Sequence, residues 1–279
     1  MNACLNYCFY GAGSAAEAVV KGMLDKKIAQ PEHIQMINRS NQARLQELEN
    51  RYGVSASNDS SLTNEWLSRA DVIILAMKPK DAVQALQALR PNIQEHTMLL
   101  SLIAGLSIAT IQRIVGPCAV VRTMPNTSST IGLGATGVCY STEVGKTQYA
   151  IARTMLEAIG IVVEVEEKDI DAITGVSGSG PAYVYYIMEA LIEAAVSEGL
   201  TAEQAESLVI QTVRGAAEMV RITGESPAVL RQKVTSPGGT TEAALKVLHE
   251  LHVNEAMKTA VAHARARAAE MGERIGSEL

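Results

Sequence analysis

Two glycine-rich stretches carry residue types suited to holding small anions, and more than two hundred residues separate them. The later one is Ser236-Pro237-Gly238-Gly239-Thr240-Thr241, set between two helical patterns where a plain connection needs no such elaboration. Glycines there leave backbone N–H groups accessible beside three hydroxyls, a combination that suits a carboxylate. The earlier one is Gly11-Ala12-Gly13-Ser14-Ala15-Ala16, which follows a strand-like Leu5–Tyr10 and precedes a helical Glu17–Leu24. Strand, GxGxxA turn and helix form the pattern of a dinucleotide-binding loop. Gly11 permits the tight turn, Gly13 lets a pyrophosphate approach the backbone, and Ala16 keeps the helix near the sheet. The helix N-terminus then faces the phosphates. The competing reading is a tight turn in an unrelated α/β protein.

Further polar residues follow the apolar strands. The run Ile34–Ile37 ends in Asn38-Arg39-Ser40, where an NAD site places an acid for the ribose hydroxyls. No acid stands there, and Arg39 with Ser40 suits a 2′-phosphate instead. NADPH is therefore the expected cofactor and NADH the alternative. The plainer reading of Arg39 is a solvated residue after a strand. Asp71–Ala76 is a near-continuous apolar strand that gives way to Met77-Lys78-Pro79-Lys80. Leu99–Ile103 closes in Ala104-Gly105, and Ala119–Arg122 leads to Met124-Pro125-Asn126-Thr127, where Asn126 offers a bidentate amide. Loops after strands are where open α/β sheets bind ligands.

These loops need a sheet to hold them. Gly134–Tyr140, a helix over Val144–Ile159 and Ile161–Val165, with a short stretch near Val54, bring the expectation to about eight strands. The Ile131–Gly134 connection is too short for a crossover helix, so the late strands are expected to include an antiparallel pair. From about Glu166 the strand–helix alternation stops. Asp169–Val176 reads as a short helix, followed by Ser177-Gly178-Ser179-Gly180 and a long helix from Pro181 to about Ser197. That helix is apolar over so wide an arc that it should be buried on several sides. Thr201 with Gln204 reads as a capping box for Ala202–Ile222, and Pro227–Gln232, Glu242–Leu251 and Val253–Glu273 are also helical. The expected fold is α/β: a Rossmann-type dinucleotide-binding domain over 1–165, then an all-helical dimerisation and substrate domain over 166–279. The wide apolar helices point to an intimate homodimer, the alternative being that they pack on the first domain alone.

Bulk composition narrows the class. The 279 residues are 47% apolar and 19% charged, with a net charge of −6, as in ordinary soluble domains. A nucleic-acid partner is not expected, because basic runs are missing and one Phe and one Trp offer little stacking surface. No run approaches a membrane span and no signal-peptide pattern opens the chain, so a cytoplasmic setting is expected. Cys4, Cys8, Cys118 and Cys139 match no metal knuckle or disulfide framework and read as small buried hydrophobes. His249 and His252 are three apart on a helix, but solvation or packing is the expected role, and no metal is expected.

Taken together, these segments resemble the bacterial pyrroline-5-carboxylate reductases of proline biosynthesis. The matching stretches are Gly11–Ala18, Asn38–Ser40, Asp71–Lys80, Ser101–Gly105 and Val121–Thr127. They continue with Ser177–Val184, Gln211-Thr212 and Val234–Thr241, so nearly the whole chain is covered. The resemblance implies NAD(P)H-dependent reduction of 1-pyrroline-5-carboxylate to L-proline. It implies a helical domain that interlocks with its twin, sometimes within a decamer, and a substrate site at the dimer interface. Its substrate carboxylate would be held by Ser236, Gly238, Gly239, Thr240 and Thr241, and Thr241 maps to the family's proposed proton donor or substrate anchor. The cofactor would lie along Gly11, Ala12, Gly13, Ser14, Ala15, Asn38, Arg39, Ser40, Ala76, Met77, Lys78, Pro79, Ala104, Gly105 and Asn126. Reduction of a cyclic imine needs a hydride at carbon and a proton at nitrogen, without metal or covalent nucleophile. Thr241 is therefore favoured as an orienting group, with the proton reaching nitrogen from water.

The chain departs from the family pattern in places. Ala15 stands where a methionine is usual, Cys8 where a glycine is usual, and Met77 replaces a valine. Tyr7 and Tyr10 replace smaller or aliphatic residues, and Asn64 is offset by one from a ribose-contacting asparagine. These changes bear on cofactor affinity. The enzyme alternatives are another imine reductase or a β-hydroxyacid-dehydrogenase-like enzyme. The latter is disfavoured because the helices over Pro181–Ile222 contain no lysine. A non-catalytic dinucleotide-binding regulatory paralogue is the other class, and the intact Ser236–Thr241 argues against it.

Overall fold

The computed structural model describes residues 5–277, so the reading of Cys4 lies outside the described residues. The chain starts with β1 (Tyr7–Tyr10), α1 (Ser14–Asp25), β2 (Ile34–Ile37), α2 (Gln42–Tyr52), β3 (Ser55–Ser57) and α3 (Ser60–Arg69). It continues with β4 (Val72–Leu75), α4 (Ala82–Leu89), β5 (Met98–Ser101), α5 (Ile108–Val115) and β6 (Ala119–Met124). After these come β7 (Gly134–Tyr140), α6 (Lys146–Glu157) and β8 (Gly160–Glu164). The eight strands form one sheet in the order β3-β2-β1-β4-β5-β6-β7-β8. Every neighbouring pair is parallel except β6 with β7, the pair joined by the short connection.

Both faces of the sheet are covered, which is why its central strands read as unbroken apolar runs. Phe9, Met36 and Ile74 face one layer with Val19, Met23, Leu45, Leu48 and Leu156. Cys8, Ile73, Leu75 and Val120 face the other with Leu67, Leu86, Leu89 and Ile111. The period-two alternation of strand side chains thus divides the core into two layers around the sheet.

Beyond the sheet, the expected Asp169–Val176 helix is shorter and changes character. It consists of α7 (Ile170–Ile173) followed by a π turn over Thr174–Gly178. The Ser179 N–H donates to the Thr174 carbonyl at 2.9 Å, five residues back. Thr174 and Ser177 hydroxyls donate to the Ile170 and Ile173 carbonyls, and such back-bonding by hydroxyls loosens the ordinary ladder. The remaining helices are α8 (Gly180–Ser197), α9 (Ala202–Thr223), α10 (Pro227–Lys233), α11 (Thr240–Glu250) and α12 (Val253–Ser277). The expected capping box forms: Gln204 N–H donates to Thr201 Oγ1 at 3.2 Å, and Thr201 N–H to Gln204 Oε1 at 3.0 Å.

The chain divides into two compact units, Met1–Ser179 with Ala262–Leu279, and Gly180–Val261. The division falls after the π turn rather than at the end of β8, and the last part of α12 belongs with the first unit. Its return is visible in the packing of Gly272 on Gly105 and in an Arg113 Nη2 bond of 2.7 Å to the Gly276 carbonyl. The second unit has little core of its own. Among its described residues only Ala205 and Val209 are buried. On α8, Val184, Tyr185, Tyr186, Ile187, Leu191 and Val196 are all exposed. A unit with so small a core cannot offset the entropy of ordering its helices by itself. Burial of α8 is not supplied by the core of the second unit itself.

Candidate active site

The strand ends at the carboxyl edge of the sheet bring the early loops together. Because β1 lies between β2 and β4, residues 10, 37 and 75 end side by side. This is the topological switch point, where the crossovers diverge to either side and leave a crevice. Gly11 takes φ +124°, and its N–H donates to the Phe9 and Ile37 carbonyls at 3.1 and 3.0 Å. A Cβ on Gly11 would come within 2.5 Å of the Ala76 carbonyl, so any side chain there would collide with the strand end of β4. Gly11, Ala76 and Met77 are therefore neighbours, as the sequence reading requires of one site.

Beyond this turn the loop opens. Gly13, Ser14 and Ala15 are exposed, and a Cβ on Gly13 would meet nothing within 4 Å. No side chain caps α1, whose N-cap is Gly13. The first N–H groups of a twelve-residue helix thus face open space, and the helix dipole favours an anion there. A dinucleotide pyrophosphate fits this arrangement. Ala12 by contrast is buried, and its carbonyl accepts from Arg44 Nε at 3.2 Å.

The adjoining loop is shaped by Asn38. Its Oδ1 accepts the N–H groups of Ser40 and Asn41 at 3.2 and 3.1 Å, a turn that leaves Arg39 projecting outward. The Arg39 side chain is 78% exposed, and Nη1 lies 3.7 Å from the Asp81 carboxylate. Asp81 follows Lys78-Pro79-Lys80, so the guanidinium and the loop after β4 share one rim.

Two other expected contacts are engaged in the scaffold. Gly105 is buried, and a Cβ there would come within 2.9 Å of the Gly272 N atom, while Ala104 beside it is half-buried. The Asn126 amide is used at both ends: Nδ2 donates to the Ser177 carbonyl at 3.1 Å, and Oδ1 accepts the Ala135 N–H at 3.3 Å. Asn126 thereby ties the end of β6 to β7 and to the π turn.

In the second unit, Gly238 has φ +72° and the Gly239 N–H donates to the Ser236 carbonyl at 3.0 Å. The helix α11 starts at Thr240, so Thr240 and Thr241 lie in its first turn rather than in the preceding loop. Gly239 is the N-cap and no side chain caps it. Glu242 curls back instead, and its Oε2 accepts the Gly238 N–H at 2.7 Å. The loop therefore already holds one carboxylate, that of its own chain.

Residues 167–271 match the family described as pyrroline-5-carboxylate reductase dimerisation. Residues 6–105 match the family described as NADP oxidoreductase, coenzyme F420-dependent. The chain is 45% identical over 268 residues to pyrroline-5-carboxylate reductase 2 of Bacillus subtilis, covering 96% of this chain and 95% of that protein. The chain belongs to the pyrroline-5-carboxylate reductase family. The solved structure of the Coxiella burnetii pyrroline-5-carboxylate reductase superposes with a TM-score of 0.88 at 39% identity, covering 96% of this chain and 99% of that one. The Plasmodium falciparum pyrroline carboxylate reductase, solved with NADP bound, gives 0.86 at 30% identity, covering 96% and 98%.

Sequence reading missed a buried ionic cluster in this reductase. Arg122 on β6 is 5% exposed, and its Nη1 and Nη2 each lie 3.1 Å from a carboxylate, of Glu167 and Asp171 respectively. Glu167 Oε1 also accepts the Ile108 N–H at 2.7 Å, at the start of α5. A guanidinium in an apolar strand demands carboxylate partners, and the acidic run Glu166–Asp171 was the signal for them. Among the described residues, the three thiols are held toward their protonated form. Burial pushes Cys8 and Cys139 up to about 12 and Cys118 to about 11, with Glu167 adding to the effect at Cys139 and Glu143 at Cys118. Among the described residues no three His, Cys, Asp or Glu side chains cluster to hold a metal, and no helix is long and apolar enough to cross a membrane.

Proposed function

We propose that the chain reduces 1-pyrroline-5-carboxylate to L-proline with hydride from NADPH. The reductase activity rests on family membership across nearly the whole chain. The single structural observation that supports it most is the open α1 N-terminus with Gly13 unobstructed at the switch point of the sheet. A bound nicotinamide dinucleotide would supply the hydride. The chain's own residues do the rest. Gly13, Ser14 and Ala15 present N–H groups to the pyrophosphate, and Gly11 keeps Ala76, Met77, Lys78 and Pro79 close to it. Ala104 contributes from the loop after β5, while Gly105 and Asn126 hold the surrounding backbone rather than touch the cofactor.

NADPH preference is assigned to Arg39, turned outward by Asn38 and Ser40, with no acid in the place that would read an unphosphorylated ribose. The carboxylate of the imine is assigned to the Ser236–Thr241 loop, where Gly238, Thr240 and Thr241 offer N–H groups at an uncapped helix start, Ser236 offers a hydroxyl, and Gly239 holds the turn through its bond to the Ser236 carbonyl. Glu242 occupies one of those N–H groups in this structure, which supports carboxylate as the ligand chemistry. Thr241 orients the imine by hydrogen bonding, and the proton reaches the nitrogen from water. The exposed apolar face of α8 supports a homodimer as the working unit. A decamer and a cytoplasmic setting belong to the same reading. Replacing Thr241 with alanine tests the site: the Michaelis constant for pyrroline-5-carboxylate rises or turnover falls, and the dimer persists. Unchanged kinetics would reject the assignment.

A further inference from the structure

Arg44 has a place in this molecule that the family comparison does not assign. It lies on α2, outside both glycine-rich motifs, and its side chain is only 19% exposed. Each of its side-chain nitrogens has an acceptor: Nη2 reaches Glu17, Nη1 donates to Glu47 at 2.8 Å, and Nε donates to the Ala12 carbonyl at 3.2 Å. Glu17 is held in turn by Arg51 at 2.9 Å and by the Tyr52 hydroxyl at 2.7 Å. The guanidinium is therefore fixed from several directions before it meets the glycine loop.

We infer that Arg44 is a positioning residue for the dinucleotide, acting through the Ala12–Gly13 peptide. The inference rests on the reading of Gly11–Ala16 as the pyrophosphate loop. In a planar trans peptide the carbonyl and the N–H point to opposite sides. With the Ala12 oxygen drawn toward α2, the Gly13 N–H is directed away from it. The space about Gly13 is open, and Gly13, Ser14 and Ala15 are exposed. Arg44 thus turns a glycine-flanked peptide, otherwise free to rotate, into a donor aimed outward beside the α1 N-terminus.

The same residue balances charge. Glu17 is an acid in the first turn of α1, and left alone it would oppose a phosphate at that helix end. Arg44 and Arg51 neutralise it together. Pyrophosphate is common to NADPH and NADH, so this contribution does not distinguish the two. Arg39, assigned to the 2′-phosphate, does.

The test compares wild type, Arg44→Met and Arg44→Lys as intact protein. NADPH and NADH are titrated separately without substrate, by cofactor fluorescence, and melting temperatures are taken without cofactor. Arg44→Met is expected to weaken NADPH and NADH by the same factor, about tenfold. The turnover number at saturating NADPH and the Michaelis constant for pyrroline-5-carboxylate stay within twofold. Arg44→Lys restores a charge opposite Glu17 but cannot supply the fork that also reaches the Ala12 carbonyl. It is expected to recover the melting temperature without recovering cofactor affinity. Unchanged affinity in both variants, full recovery of affinity by lysine, or a loss confined to NADPH would each overturn the inference. Should Arg44→Met fail to fold, the lysine variant alone decides. Wild type that binds neither dinucleotide would reject the loop assignment itself, whereas wild type that binds both with variants that bind equally well would reject only the role of Arg44.

Discussion

At the residue scale, the cofactor rim and the carboxylate loop each pair a proposed ligand contact with a competing acid. Arg39 lies 3.7 Å from Asp81 and is largely solvated, so the pair itself contributes little. Arg39→Ala should raise the Michaelis constant for NADPH by about tenfold, ~1.4 kcal/mol, while that for NADH barely moves. Asp81→Asn should shift the NADPH constant the other way by roughly twofold, within the usual range for an exposed pair. Equal effects on both cofactors would show that Arg39 does not read the 2′-phosphate. Glu17 carries a pH signature. Burial works to raise its pKa, but hydrogen bonds from Arg44 and Tyr52, with the charges of Arg44 and Arg51, outweigh this and leave it lowered from 4.5. A depressed carboxylate contributes stability above its unfolded pKa and loses it as pH falls through the lower folded value. The melting-temperature gap between wild type and Glu17→Gln should therefore be widest near neutral pH and shrink below about pH 4.5. A gap independent of pH would contradict the ionic role.

At the scale of elements, the Arg122 cluster fastens the segment after β8 to the sheet. The freed partners respond differently to substitution. Glu167 and Asp171 are 34% and 25% exposed in their side chains, whereas Arg122 is 6% exposed. Removing both acids in Glu167→Gln with Asp171→Asn strands a buried guanidinium and should cost about 3 kcal/mol or more. Arg122→Met lets the carboxylates turn to water and should cost less, as urea unfolding of the two variants would measure. The strands, the GxGxxA turn and the antiparallel β6–β7 pair were legible because each is written in local spacing. The Arg122 cluster was not, since its partners stand 45 and 49 residues along the chain. The π turn was equally hidden: hydroxyls at Thr174 and Ser177 and the Asn126 amide compete for the backbone, and periodicity cannot show that. The candidate loops were readable as motifs, but not the carboxylate of Glu242 on Gly238 nor the packing of Gly272 against Gly105.

At the scale of the whole molecule, the second unit holds two buried residues among those described, and the apolar residues of α8 are exposed. The sequence marked α8 as too apolar for one exposed face, and the structure shows that the core of the second unit itself does not cover it. Association is thus coupled to the stability of this unit, and the melting temperature should rise with protein concentration. Leu191→Glu should yield monomers by sedimentation and abolish turnover; a dimer of unchanged affinity would contradict this assignment of the interface. The central claim is met most directly by one assay, in which purified protein is given NADPH with and without pyrroline-5-carboxylate while NADPH absorbance and proline are followed together. The account predicts NADPH loss only when the imine is present, with one proline formed for each NADPH consumed. No loss above the substrate-free rate at millimolar imine would contradict it.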